Sequence, residues 1–349
     1  MEEAKFILSE NKLLNQVNIL KNLGLKISYS YKTNKEIGNL LQRTFFDVDF
    51  SVHAKEEIDS IKDKFKIWFF LQAESKEEIK SLFEEGIRNF VVDNVSDLDL
   101  LLESIEEEKI QIRLSLRMKF QEHRLGTGRY FVYGLDSNKV NEIVKKLERN
   151  LFINSLGVHI HRKSQNTSEW NIKSEIVDSL NLETLRIIKF FNIGGGLPAR
   201  YKSFESRNFD YVFEKIIEAR DFLKSNGIEV YVEPGRFFAA PAIKLITEII
   251  QIQGRNIIIN TSLYKCALDT LLTGTKMLIE GEISDDKEKV NEFLIKGNSP
   301  TRDDIFRHRA KLQNPKVGDK IVFLNAGAYN YTTDFFGYHK LKTEIVKDF

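Results

Sequence analysis

Lys32 stands in the run Tyr-Ser-Tyr-Lys-Thr-Asn, directly after a short apolar stretch. A lysine at the end of a strand that opens into a half-dry pocket loses hydration. Its pKa then falls, and the free amine can attack a carbonyl to form a Schiff base. Taken alone, such a lysine is more often a solvated side chain. Gly194, Gly195 and Gly196 close the run Phe-Asn-Ile-Gly-Gly-Gly-Leu-Pro. Three glycines let the backbone approach a ligand and can turn several N–H groups toward one anion; the plain alternative is a flexible turn. Glu233 opens Glu-Pro-Gly-Arg. A buried carboxylate beside a pyridine nitrogen keeps that nitrogen protonated, and Arg236 can neutralise a phosphate or carboxylate. Standing alone, the tetrapeptide is also a common surface turn. The run Gly-Val-His-Ile-His-Arg-Lys-Ser-Gln offers His161 as a flat ring to stack on an aromatic ligand and Ser164 as a hydroxyl for a phosphate. His159 and His161 are read as pointing to opposite faces of their strand, so no metal site is expected there.

These groups need a scaffold that brings remote segments together. From residue 26 onward, β-leaning runs alternate with amphipathic stretches of about a dozen residues. Strands are expected at Lys26–Tyr31, Asp47–Val52, Lys66–Leu71, Asn89–Val92, Ile110–Ser115, Leu156–Ile160, Ile187–Phe191 and Glu229–Val232. Helices are expected over Ser75–Glu85, Ser96–Glu107, Asn138–Leu147 and Tyr211–Asn226. Eight such units fit a closed (β/α)8 TIM barrel, whose active site lies at the carboxyl ends of the strands. A doubly wound open sheet is the alternative that this pattern alone leaves open. After Phe237 the runs KLITEIIQIQ, RNIIIN, KMLIEGEI, NEFLIKG and DKIVFLNAG read as a mostly antiparallel C-terminal β domain. The division expected is a barrel over 26–237 and a β-rich domain from 1–25 plus 238–349.

Composition sets bounds on the partners. The 349 residues are 42% hydrophobic, enough for a large core, and 52 basic residues are balanced by 51 acidic ones. Nucleic acid and anionic membrane surfaces are not expected as partners, since both call for a basic surplus. One cysteine excludes an internal disulfide framework and fits a reducing compartment. No secretory signal is read at the start and no apolar run is long enough to span a membrane, so a cytoplasmic location is expected.

In order along the chain stand Tyr-x-x-Lys, an arginine-bearing strand with Arg113, the His–Ser loop, Gly-Gly-Gly, Glu-Pro-Gly-Arg and a late Gly-Ala-Tyr. This ordered set resembles the fold-type-III decarboxylases that use pyridoxal 5′-phosphate (PLP), which include the ornithine, lysine and diaminopimelate enzymes on an alanine-racemase-like barrel. The resemblance covers the chain from about Ile27 to Gly337. It implies PLP held on Lys32, with His161 against its ring, Glu233 at its pyridinium nitrogen and Arg113 supporting the site. Ser164, Gly194, Gly195, Gly196, Arg236 and Tyr329 would surround the phosphate and the cofactor mouth. In the family, a Gly-x-x-Cys-Asp segment from a second subunit completes the site. The run from Gly297 to Asp303 matches it, which implies a homodimer with shared active sites.

The departures bear on substrate. Arg302 is read at the place of the family cysteine, with Asp303 beside it as the acid. Asn260-Thr261-Ser262 replaces an Asn-Asp-Gly run whose aspartate holds a distal amine. A charged guanidinium cannot donate a proton at neutral pH. The expected activity is therefore decarboxylation of an amino acid or amino-acid conjugate, other than plain ornithine or lysine, with a substrate bearing an anionic side group as the variant these departures suggest. An amino-acid racemase on the same barrel and a non-catalytic PLP-binding homologue are the other readings.

Overall fold

Runs such as KISYS, VDFSV, IWFF and NFVV carry apolar side chains on both faces. Strands of this kind are stable only where helices cover one face and other strands fill the other. The computed structural model describes residues 2–120, 133–166, 168–204, 209–284, 291–331 and 339–349. In it, β1 (Lys5–Ser9) and α1 (Glu10–Asn22) precede a closed parallel barrel. Its strands are β2 (Lys26–Ser30), β3 (Val48–Val52), β4 (Ile67–Phe70), β5 (Asn89–Val92), β6 (Ile112–Arg117), β7 (Ile153–His159), β8 (Phe190–Asn192) and β9 (Glu229–Val232). The barrel closes because β2 pairs with β9 as well as β3, Ile27 lying opposite Val232 on one side and Val48 on the other.

Helices α2 (Lys35–Thr44), α3 (Lys55–Ile58), α4 (Lys76–Glu84), α5 (Val95–Glu108), α6 (Ser137–Leu147), α7 (Ile172–Ser179), α8 (Leu182–Ile187) and α9 (Phe209–Ser225) connect the strands. Their starts are written into the sequence. Asn34 caps α2 by accepting from the N–H groups of Glu36 and Ile37, and Asn94 caps α5 through Asp97 N–H. Ser75 and Glu78 form a reciprocal capping box on α4. Such caps are worth about 1 kcal/mol each and fix where each helix leaves the rim.

After α10 (Arg236–Ala242) come β10 (Ile243–Gln253), β11 (Asn256–Ile259), α11 (Leu263–Cys266), α12 (Leu268–Thr273), β12 (Leu278–Ile279), β13 (Glu292–Lys296), β14 (Ile305–Lys311), β15 (Lys320–Leu324) and β16 (Lys342–Val346). They form a mostly antiparallel sheet ordered β12-β15-β10-β11-β13-β14. β1 joins it by pairing with β10, and β16 then pairs with β1.

The chain divides into two compact units. One is Met1–Val17, Ala199–Arg207 and Arg236–Phe349, and the other is Asn18–Pro198 and Asn208–Gly235. The break thus falls inside α1 and between Gly235 and Arg236, where the sequence suggested 25/26 and 237/238. The short segment after Gly-Gly-Gly-Leu-Pro belongs with the sheet because Lys202 N–H donates to Lys276 O and Lys276 N–H to Ser203 Oγ. No described helix is long and apolar enough to cross a membrane.

Candidate active site

The parallel strands place their carboxyl ends on one rim of the barrel, and the sequence there is rich in titratable groups. Lys32 lies in a single 3-10 turn, Tyr31–Thr33, between β2 and α2. Its neighbours Tyr31 and Thr33 are buried, so the lysine side chain is the one turned out of the wall. Tyr31 is anchored by donating to Asn39 Oδ1 at 3.0 Å, and the Pro234–Gly235 turn presses close, with Pro234 O accepting from Ser30 N–H. A Cβ on Gly235 would meet Thr33 Oγ1 at 2.3 Å, so this turn must be glycine. Lys32 is reachable from the mouth, yet loss of water around its ammonium is the largest influence on it. Burial and Arg117 lower its pKa against the pull of Glu233 and Glu57.

Glu233 follows β9 and is buried. Its Oε1 accepts from Ser51 Oγ (2.8 Å) and Asn192 Nδ2 (3.0 Å), and its Oε2 lies 3.0 Å from His159 Nε2. Burial alone would raise its pKa. The hydrogen bond and field from His159, with His161 and Ser51 behind them, override this and hold the carboxyl down to about 2. Three strands far apart in sequence therefore supply donors to one ionised carboxylate.

His161 lies just beyond β7. The expectation that it and His159 face opposite ways is corrected: positions two apart share a face of a strand. The two rings lie parallel at 11° with centroids 6.3 Å apart. Ligand atoms of His159, His161 and Glu233 fall within 4.8 Å of one another, as a hydrogen-bonded triad also would. His161 Nδ1 accepts from Gly195 N–H at 3.3 Å and lies 4.0 Å from Glu233 Oε2. Its nitrogens are short of water and Arg117 is near, so its pKa falls well below the ordinary histidine value. Even so, 42% of the side chain is open to the mouth, as a ring meant to lie against a ligand should be.

The glycine loop is as tight as its composition suggested. Gly194 and Gly196 have φ of 69° and 96°, and a Cβ on Gly194 would sit 1.9 Å from Ile160 O. A Cβ on Gly195 would meet Glu233 O at 3.0 Å and the His161 ring at 3.1 Å. The N–H groups are less free than expected: Gly194 N–H donates to Asn192 Oδ1 at 2.8 Å, while Gly195 makes the long bond to His161. Ser164 lies in the adjoining loop, which is tied to the glycines through Asn166 N–H and Gly196 O.

Arg113 does not support the mouth. The strand that carries it runs Ile112–Arg117, two residues further than expected, so Arg113 sits near its amino end. There it donates to Tyr231 Oη at 3.0 Å, and its guanidinium lies 4.7 Å from the centre of Trp68 and 5.2 Å from Phe190. Four residues along a strand is about 13 Å, and even spacing keeps both arginines on the inner face. The mouth arginine is thus Arg117, which acts on Lys32, His161 and Glu233 and lies 5.2 Å over the Tyr133 ring. His53 after β3 and Glu57 on α3 complete the rim, and the sequence reading passed over both.

In the sheet unit, Arg236 is buried and already neutralised. It pairs with Asp269 through two bonds of 2.6 and 2.9 Å and donates to Tyr201 Oη at 3.0 Å. The Tyr329 ring lies 5.2 Å from its guanidinium. Asp269 thus already balances the charge expected to meet a phosphate. Arg302 is 93% exposed and pairs with Asp303 at 3.3 Å. Counted from Gly297, Gly-x-x-Cys-Asp falls on Pro300 and Thr301, so Arg302 and Asp303 stand two residues past those positions. What organises this loop is the buried Asp304, which accepts from Leu263 N–H (2.7 Å), Ser299 N–H (3.0 Å) and Ser299 Oγ (2.6 Å). Thr261 is buried, its hydroxyl 3.6 Å from Cys266 Sγ.

The barrel-mouth groups suit PLP. An amine of lowered pKa, an ionised buried carboxylate, an open imidazole face and a glycine cradle that any Cβ would fill share one rim. The family profile described as "Pyridoxal-dependent decarboxylase, pyridoxal binding domain" matches residues 12–240. Diaminopimelate decarboxylase of Campylobacter jejuni is 25% identical over 342 residues, covering 93% of this chain and 84% of that protein. The 2-((L-alanin-3-ylcarbamoyl)methyl)-2-hydroxybutanedioate decarboxylase of Staphylococcus aureus is 23% identical over 343 residues, covering 87% and 82%. Diaminopimelate decarboxylase of Helicobacter pylori, solved with L-lysine, superposes with a TM-score of 0.80 at 22% identity, over 100% of this chain and 92% of that one. With a profile match across most of its length, the chain belongs to the pyridoxal-dependent decarboxylases, enzymes that remove CO2 from amino acids with PLP as cofactor.

Proposed function

We propose that the barrel mouth decarboxylates an L-amino acid whose side chain carries an anionic group, rather than free ornithine or lysine. The observation that carries the reading is the charge of the rim. Lys32 and Arg117 stand there with the neutral rings of His161 and His53, while Glu233 is committed to its three donors and Glu57 accepts from the His53 backbone N–H. At the position of the family's amine-holding aspartate, Thr261 offers a hydroxyl already shared with Cys266. The Staphylococcus aureus relative, whose named substrate joins an alanine unit to a hydroxybutanedioate, is a decarboxylase of this kind.

When bound, PLP supplies a sink for the electron pair left on Cα as CO2 departs. The chain's part is to prepare that step. Lys32, short of water, keeps its amine available as the nucleophile for the cofactor aldehyde. Glu233, held ionised, would keep a proton on the pyridine nitrogen and so strengthen the sink. His161 would lie against the ring, and the glycine loop with Ser164 would take the phosphate. A homodimer belongs to the same reading. The loop from Gly297 to Asp304 presents Arg302 and Asp303 to solvent, where a second copy's substrate could meet them.

CO2 release tests this with the holoenzyme and a panel of L-ornithine, L-lysine, meso-diaminopimelate and alanine-derived conjugates bearing carboxylates. One added ion pair of about 1.4 kcal/mol should favour the anionic substrates roughly tenfold in kcat/KM. Plain lysine or ornithine emerging as the best substrate would overturn the substrate class.

A further inference from the structure

The amino-end face of the barrel, its floor, plays no part in the chemistry above. A cavity of about 690 Å³ lies there, at the amino ends of β4 to β7. Arg88, Lys109 and Arg113 line it, and none of its lining residues is an acid. The two arginines are held by neutral oxygens. Arg88 Nη1 donates to Phe83 O and Ile87 O, both at 2.8 Å, and Arg113 Nη2 donates to Tyr231 Oη at 3.0 Å. Their backbones are joined as well, Arg113 N–H donating to Arg88 O at 2.8 Å. The Arg113 guanidinium lies 4.7, 5.2 and 5.8 Å from the ring centres of Trp68, Phe190 and Tyr231. Asp49 feels the Arg113 charge, but it accepts from Trp68 Nε1 at 3.1 Å and does not line the cavity. Phe65, 69% exposed, lines the same cavity.

We propose that this floor cavity binds a polyphosphate group, inorganic or carried by a nucleotide, at Arg88, Lys109 and Arg113. Three cations on one concave surface, with no acid lining it, concentrate a field that selects a multiply charged anion. Guanidinium forks match phosphate oxygens, and here both forks are already fixed by bonds that leave their charge intact. The cavity has the size of an ordinary small-molecule site. A nucleotide adds a flat base, for which the open Phe65 ring is a stacking face. The site lies at the opposite end of the strands from Lys32, so it stands independently of the pyridoxal reading.

Isothermal titration of the holoenzyme with tripolyphosphate and with ATP, at low ionic strength, reads the site directly. One saturable site per chain is expected, its affinity falling as salt is added. Lys109 has φ of 53°, and Lys109→Asn removes its charge while keeping a residue that accepts this backbone. Lys109→Asn and Arg88→Gln should each weaken tripolyphosphate about fivefold to tenfold. Lys139→Asn, on the first turn of α6 at the other rim, should stay within about twofold of wild type. A loss of ATP affinity alone in Phe65→Ser makes the nucleotide the ligand. Equal affinity for ATP and tripolyphosphate, unchanged in Phe65→Ser, makes the phosphate chain sufficient; both results uphold the site. The absence of saturable binding overturns it. An equal loss in Lys139→Asn and Lys109→Asn does so too, since net charge alone would then explain the binding. A loss in Arg117→Met, with Arg88→Gln and Lys109→Asn unaffected, would place the anion at the Lys32 mouth and overturn the floor site. Should Arg88→Gln fail to fold, the exposed Lys109 still decides the matter.

Discussion

Replacing Glu233 with glutamine changes one oxygen to an amide nitrogen in a site built for a carboxylate. In the native site Oε1 receives two donors and Oε2 faces a third. A pKa held at about 2 against an ordinary 4.5 corresponds to roughly 3 kcal/mol favouring the ionised form, at 1.36 kcal/mol per unit. Glutamine forfeits that field and sets its NH2 against a donor. Asn192 cannot simply turn, because its Oδ1 holds Gly194 N–H at 2.8 Å. His159 can adapt only by moving its proton to Nδ1, which has no partner. The expected cost in stability is about 1–3 kcal/mol. PLP should still bind through Lys32, while single-turnover CO2 release falls about 10²- to 10³-fold, the usual scale for removing one preorganised charged or dipolar group. The pH dependence has a definite sign. Because the folded pKa is depressed, Glu233 adds stability above about pH 4.5 that is lost as pH falls toward 2. Glu233→Gln should flatten that part of the acid-unfolding curve. Turnover within threefold of wild type, with full cofactor loading, would refute the role of the carboxylate.

Lys32→Ala should abolish the visible absorbance of the bound cofactor and the borohydride-reducible lysine adduct; a reducible lysine surviving in the same peptide region by mass spectrometry would show that another amine does the work. Arg117→Met and Arg113→Met should separate cleanly. The first should depress CO2 release with little loss of Tm. The second should leave activity largely intact and cost about 1–3 kcal/mol, because it uncovers Asp49, whose burial already raises its pKa to about 6. The opposite pattern would return the mouth to Arg113. Mixing inactive Lys32→Ala chains with chains inactivated by a substitution in the Gly297–Asp304 loop should restore part of the activity if the site is shared between copies, and no rescue after confirmed subunit exchange would count against it.

Local chemistry made much of the site legible. Strand and helix alternation is a property of the chain, but alone it left a doubly wound sheet open, and only the order of the motifs pointed to the eight-stranded barrel that forms. Lys32, the three glycines and Glu233 could be proposed because their order along the chain resembles one family; singly, each has an ordinary structural reading. Depth along a strand was a different matter. A period of two tells which face a residue shares but not how far toward the rim it stands. Neighbouring strands set that through register: β6 extends to Arg117 because Arg117 pairs with His159 and Leu116 with Val92. Hence Arg113 and Arg117, identical in type and face, exchanged roles. The same limit hid His53, Ser51 and Asn192. Nothing near them in sequence marks a carboxylate, and Ser51 meets Glu233 across 182 positions of chain. Nor could the run Glu-Pro-Gly-Arg show that Arg236 is neutralised by Asp269, or the run after Gly297 that Asp304 is its buried anchor. Partners of this kind exist only once the barrel has closed and the sheet has formed, since the field at each charge is set by groups the chain brings near through space.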